Sequence, residues 1–109
     1  MIAPQIKWIS RDDPPDAFPD IENALTVPNG LLAAGGDLGT ARLLAAYAGT
    51  IFPWYDEGQP ILWWSPDPRC VVRPPGAFHV ARRLRRSLRT GRFVVTYNQA
   101  FARVIRACG

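Results

Sequence analysis

FPWYDEGQPILWWSPDPR, residues 52–69, places three of the chain's four tryptophans and four of its eleven prolines in eighteen positions. Proline fixes φ and lacks an amide N–H, so the stretch cannot be one helix or one central strand. Two structures satisfy it. One is a hairpin pinned by rigid turns that closes a small core; the other is an aromatic surface built to receive something flat. If Ile61–Trp64 is a strand, alternation sends Trp63 and Trp64 to opposite faces, one buried and the other nearer the surface. Trp54, directly after Pro53, has two readings: a core ring, or a face on which a base or a substrate side chain stacks. Pro53, Pro60, Pro66 and Pro68 then act as stiffeners that order the loop before any ligand arrives.

Upstream, Ile6–Ile9 reads as a short strand, and Arg11–Asp20 as an acidic loop without periodicity. Pro28-Asn29-Gly30 is a turn signal, and the apolar run Leu31–Ala34 ends at Gly35-Gly36-Asp37. Leu43, Leu44 and Tyr47 recur at helical spacing over Thr40–Ala48, with Thr40 as the expected N-cap and Gly49 as the stop. Downstream, Cys70–Val72 reads as a strand, His79–Thr90 as a helix, Phe93–Tyr97 as a strand and Asn98–Cys108 as a helix capped by Asn98. This order of elements predicts an α+β protein.

The 109 residues are 48% hydrophobic and 20% charged, enough for a real core and outside the range of disordered chains. No run approaches the ~20 apolar residues of a membrane span, and the start lacks the layout of a signal peptide. Cys70 and Cys108 form neither a disulfide framework nor a metal spacing, and buried free thiols are expected for both. These features predict a cytoplasmic protein with no membrane partner and no cysteine metal site.

The net charge of +4 conceals a division. From Met1 to Pro68 three basic residues, Lys7, Arg11 and Arg42, face nine acidic ones; from Arg69 to Gly109 there are ten arginines and no acid. Such asymmetry points to a polyanion partner for the second half. In HVARRLRRSLRT, residues 79–90, Val80, Ala81, Leu84 and Leu88 make an apolar stripe, while Arg82, Arg85, Arg86 and Arg89 align on one face. Like charges at that spacing repel by a few tenths of a kcal/mol per pair, roughly. A solvated helix face normally mixes both signs. Phosphate binding is therefore expected, with acids of a neighbouring domain as the competing reading.

Catalytic constellations are mostly missing. His79, the one histidine, stands at the expected start of the basic helix, where capping or packing explains it. Gly35-Gly36-Asp37 lacks the spacing and the lysine of a P-loop and reads as a tight turn. Asp56, Glu57 and Asp67 are loop acids without an evident partner.

PNGLLAAGGDL, ARLLAAY, IFPWYDEGQPILWWSPDPR and the later FVVTYNQAF together resemble the N-terminal region of the bacterial leucyl/phenylalanyl-tRNA–protein transferases, from about Phe18 to Gly109. The resemblance implies a small N-terminal α+β domain, residues 1–68, followed by the start of an acetyltransferase-like (GNAT) domain, residues 69–109. It implies transfer of Leu or Phe from aminoacyl-tRNA to acceptor proteins with an N-terminal Arg or Lys, marking them for degradation, a reaction that requires neither a metal nor a cofactor. Trp54 and Tyr47 match positions the family uses near the aminoacyl-adenosine end. Arg82, Arg86 and Arg89, with Arg85 beside them, match its tRNA-binding cluster. The residues of the peptide-forming step are expected beyond Gly109, so no catalytic residue is assigned and these 109 residues alone are expected to be inactive. Thr50 stands where the family usually has Gly, and Thr90 where a basic residue is common. A non-catalytic RNA-binding module is the alternative that the charge division supports by itself; a module for Pro-rich peptides is another.

Overall fold

The computed structural model describes residues 5–73, 76 and 78–109. The chain divides into two compact units, Met1–Cys70 and Val71–Gly109.

In the first unit four short strands form one mixed sheet. They are β1 (Lys7–Ile9), β2 (Leu31–Gly35), β3 (Phe52–Pro53) and β4 (Leu62–Trp64), in the order β1-β2-β4-β3. β1 runs parallel to β2, whereas β4 is antiparallel to both β2 and β3. One helix, α1 (Thr40–Ala48), leads from β2 to β3. Its predicted span and its stop at Gly49 are those observed, but the N-cap is Gly39 rather than Thr40. No side chain caps α1; Asp37 instead closes the turn that leads into it, accepting the Gly39 N–H at 2.8 Å. The buried residues of α1 are Arg42 and Ala46, one turn apart, while Leu44 and Tyr47 are exposed.

Register decides which side of the sheet each ring occupies. Lys7, Ala33, Trp63 and Pro53 are paired across the four strands and share one face; Leu62 and Trp64 take the other. A register shift between Leu31 and Ala33 inserts one residue into β2. Leu31 therefore stands opposite Trp64, while Leu32 and Ala33 both enter the core. That core comprises Ile9, Leu32, Ala33, Ala46, Ile51 and Trp63, with Phe18, Ala24, Leu43 and Ile61 packed against it. Trp63 is 0% exposed; its Nε1–H donates to the Gly35 carbonyl at 2.9 Å, and Phe18 meets its ring edge-on at 4.9 Å. Burying an indole leaves no polar atom unpaired here. Gly35 is required by this approach, because φ is +92° and a Cβ would lie 2.6 Å from the Ile9 carbonyl oxygen.

Arg42 is the one buried charged residue among those described, at 2% exposure. Its Nε pairs with Asp37 at 3.1 Å, and its Nη atoms donate to the carbonyls of Ser10, Asp13 and Pro14. The acidic loop thus has no periodicity of its own but is tied down by a single guanidinium. Accepting from Gly39 and then from Arg42 holds the Asp37 carboxyl below its ordinary value.

The second unit contains α2 (Arg82–Arg89) and α3 (Phe101–Cys108). Both are shorter than the sequence predicts: Val80 lies outside α2, Ala81 is its N-cap, and Ala100 rather than Asn98 caps α3. Asn98 instead adopts a left-handed φ of 58°. The predicted strands at Cys70–Val72 and Phe93–Tyr97 are not formed. A strand exists by pairing, and neither run has a ladder partner. None of the described residues of this unit is buried, so Val71, Val72, Phe93, Val94 and Tyr97 are all exposed. Cys70 and Cys108 are exposed free thiols, which corrects the expectation that they are buried. Cys70 follows the last core strand, and Cys108 ends a helix none of whose residues is buried.

Candidate functional site

The sheet face opposite Trp63 carries an open cleft of about 600 Å³. Leu31, Phe52, Leu62 and Trp64 form its apolar wall, with Trp54, Tyr55 and Gln59 also lining it. Phe52 and Trp54 are two residues apart, as are Leu62 and Trp64, so strand alternation brings all four to one side. The opposite side of the same strands is full of core, which leaves these rings available to a ligand.

Trp54 is 71% exposed. Its backbone, in contrast, is held at both ends: its N–H donates to the Leu62 carbonyl at 3.0 Å, and its carbonyl accepts the Trp64 Nε1–H at 2.7 Å. An exposed indole costs hydration free energy. Fixing the backbone beforehand lowers the ordering cost of binding, and the free ring face supplies the stacking platform. Pro66, which also lines the cleft, lies hard against the turn at Gly30, where φ is +92° and any Cβ would sit 2.5 Å from it.

Of the residues singled out from the sequence, Trp54, its partner Trp64, the loop acid Asp56 and the stiffener Pro66 line this cleft. Tyr47 does not; it lies on α1 at 61% exposure. Arg82, Arg85, Arg86 and Arg89 are all exposed and span α2 from its first residue to its last. Over seven residues the helix rises about 10 Å, so four guanidinium groups lie along one short ridge. No acid occupies the first turn of α2 and no side chain caps it. Arg82 and Arg83 therefore oppose the partial positive charge of that helix end, whereas Arg86 and Arg89 suit the other. An anion beside the ridge relieves both the repulsion and the unfavourable end. Among the described residues Arg42–Asp37 is the single ion pair, so these arginines have no carboxylate partner. His79 lies outside α2, in irregular chain, and is exposed.

Sequence reasoning left out Leu31, Phe52 and Leu62 as cleft residues. The two-residue spacing around Pro53 and Trp63 carried that signal, but only the observed pairing of β3 with β4 converts spacing into a shared face. Among the described residues no three His, Cys, Asp or Glu side chains gather as a metal site, and no helix is long and apolar enough to cross a membrane.

Comparison with known proteins places the same segments in one family. Residues 36–67 match the leucyl/phenylalanyl-tRNA protein transferase N-terminal domain, and residues 72–109 match the leucyl/phenylalanyl-tRNA protein transferase family itself. Among curated proteins, the leucyl/phenylalanyl-tRNA–protein transferase of Stutzerimonas stutzeri is 57% identical over 103 residues, which is 94% of this chain and 44% of the relative. Those of Alkalilimnicola ehrlichii and Laribacter hongkongensis are 55% and 52% identical, over 95% and 94% of this chain and 40% and 42% of their own lengths. The chain thus spans less than half the length of these relatives.

Proposed function

The chain belongs to the leucyl/phenylalanyl-tRNA–protein transferase family, and from that premise we propose that it forms the part of such an enzyme that receives charged tRNA. The observation that carries the proposal is Trp54: an exposed ring on a clamped backbone, at the edge of an aromatic cleft. In this reading the cleft takes the aminoacyl-adenosine end, Trp54 stacks on it, and Tyr47 contacts the same end of the tRNA. Arg82, Arg85, Arg86 and Arg89 hold phosphates of the tRNA body, which positions the molecule without reading its sequence.

The reaction of the whole enzyme is acyl transfer in the cytoplasm. The α-amine of an acceptor with N-terminal Arg or Lys attacks the ester carbonyl of Leu- or Phe-tRNA. A new C–N bond forms, the C–O ester bond breaks, and the proton lost by the amine ends on the released ribose hydroxyl. The modified acceptor is thereby marked for degradation. Because an aminoacyl ester is already activated, positioning and stabilisation of the developing oxyanion supply much of the rate. This chain's contribution is positioning. Residues 1–68 act as the small N-terminal α+β domain, and residues 69–109 as the opening of a GNAT-like domain.

The test is a chimaera. This chain replaces the matching 103 residues of the Stutzerimonas stutzeri relative, and phenylalanine transfer from charged tRNA to an N-terminal-Arg peptide is measured. Transfer is expected, with Trp54→Ala at least about tenfold slower and Trp54→Phe less affected, since one stacked base contributes about 1–3 kcal/mol. A folded chimaera without transfer, or one indifferent to Trp54→Ala, overturns the reading. The charge division by itself favours a second reading, a non-catalytic RNA-binding module; a folded chimaera that binds tRNA but never transfers would support it.

A further inference from the structure

Arg69 follows the cleft segment directly, and its side chain returns to it. The guanidinium carbon lies 4.9 Å from the centroid of the Phe52 ring, and Nη1 donates to the Thr50 carbonyl at 2.6 Å. Phe52 is itself a wall of the cleft. Stacking on an aromatic ring together with a backbone hydrogen bond fixes the plane of the guanidinium. Of its five N–H groups one is engaged in that bond, and among the described residues no carboxylate pairs with it. A planar, pre-aimed cation with donors to spare is a receptor for phosphate.

Its position sets which phosphate. Arg69 is anchored at Thr50 and Phe52, and Trp54 follows Phe52 by two extended residues, about 7 Å along the chain. That is the scale of one nucleotide, from its base to its own phosphate. We propose that Arg69 is the phosphate anchor of the nucleotide whose base stacks on Trp54. The proposal rests on the reading of the cleft as the site for the tRNA end, and it names the residue that fixes how far that end enters. Arg69 positions the nucleotide; it takes no part in bond making. Phe52 has a double role, with its ring supporting the cation and lining the stacking surface.

The experiment compares adenosine with adenosine 5′-monophosphate as ligands of this chain, by titration of the tryptophan indole N–H resonances. Arg69→Gln, Arg69→Lys and Trp54→Ala are measured alongside. The monophosphate is expected to bind wild type about three- to tenfold tighter than adenosine, and added salt should narrow that gap. In Arg69→Gln the gap should vanish while adenosine itself binds as before. Arg69→Lys, which keeps the charge without the fork, should retain part of it. Trp54→Ala should weaken both ligands by the same factor and leave the gap. If wild type binds both ligands equally, the anchor is refuted and the cleft reading survives. A gap that persists in Arg69→Gln also refutes it, by placing the phosphate on another cation. If neither ligand binds wild type, the cleft reading fails and the anchor fails with it.

Discussion

Thr50 should be improved by the residue with the least side chain. Its φ is +65°, in the left-handed region, immediately after α1 and before β3. For an L-residue that conformation costs roughly 1–2 kcal/mol, and a β-branched side chain lies toward the upper end. Nothing offsets the cost through the side chain: Thr50 is exposed and only its backbone is bonded, N–H to Tyr47 and carbonyl to Arg69. Glycine removes the strain but loses about 0.5–1 kcal/mol to the greater freedom of its unfolded state. Thr50→Gly should therefore gain about 0.5–1 kcal/mol. For a unit of this size that raises the melting temperature by roughly 2–8 °C. Tryptophan fluorescence is the right probe, because all four tryptophans lie in the first unit. Thr50→Ala, which loses the branch but keeps a Cβ, should gain less. A lower melting temperature for Thr50→Gly, or a larger gain for Thr50→Ala, would refute the argument from strain.

Arg42→Ala should cost about 3 kcal/mol, because it removes a buried guanidinium and strands the carbonyls of Ser10, Asp13 and Pro14. Arg42→Lys should lose less; equal melting curves for wild type and Arg42→Ala would contradict the buried network. Bonds from the Gly39 N–H and the Arg42 guanidinium hold the Asp37 carboxyl below the ordinary aspartate value, so its contribution is complete above that ordinary value and is lost as pH falls through the lowered one. Urea melts from pH 6 to pH 2 should show an acid-side loss that is smaller in Asp37→Asn. Three or four phosphate contacts along α2 predict a log–log salt slope of tRNA affinity near −3 to −4, about 1 shallower in Arg82→Ala or Arg89→Ala. Unchanged slopes in both variants would show that the ridge is only solvated.

What the sequence disclosed follows the range of each interaction. α1 and its stop at Gly49 are local, and periodicity shows them. Alternation in Ile61–Trp64 separates Trp63 from Trp64 correctly, because that rule needs only neighbouring residues. Arg42 reads as an ordinary surface charge, since its loop partners are 28–32 positions away and carry no signal beside it. The inserted residue at Leu32 is equally silent, because an apolar run looks the same with or without a bulge. Phe93–Tyr97 has strand-forming side chains but no partner, so propensity alone misleads there. In the candidate site, the density of Trp and Pro exposes Trp54, whereas Phe52, Leu62 and Arg69 join it only through pairing and a returning side chain.

If the cleft receives the terminal adenosine of tRNA on Trp54, a thermodynamic cycle measures the contact. Phenylalanine-specific tRNA, intact or lacking its 3′-terminal adenosine, is titrated against wild type and Trp54→Ala at one fixed salt concentration. One stacked base contributes about 1–3 kcal/mol, so removing the adenosine should weaken wild type roughly 5- to 150-fold. In Trp54→Ala the same removal should change almost nothing, since the platform is already gone. An equal loss in both proteins would show that the adenosine is held elsewhere and that Trp54 is not its platform.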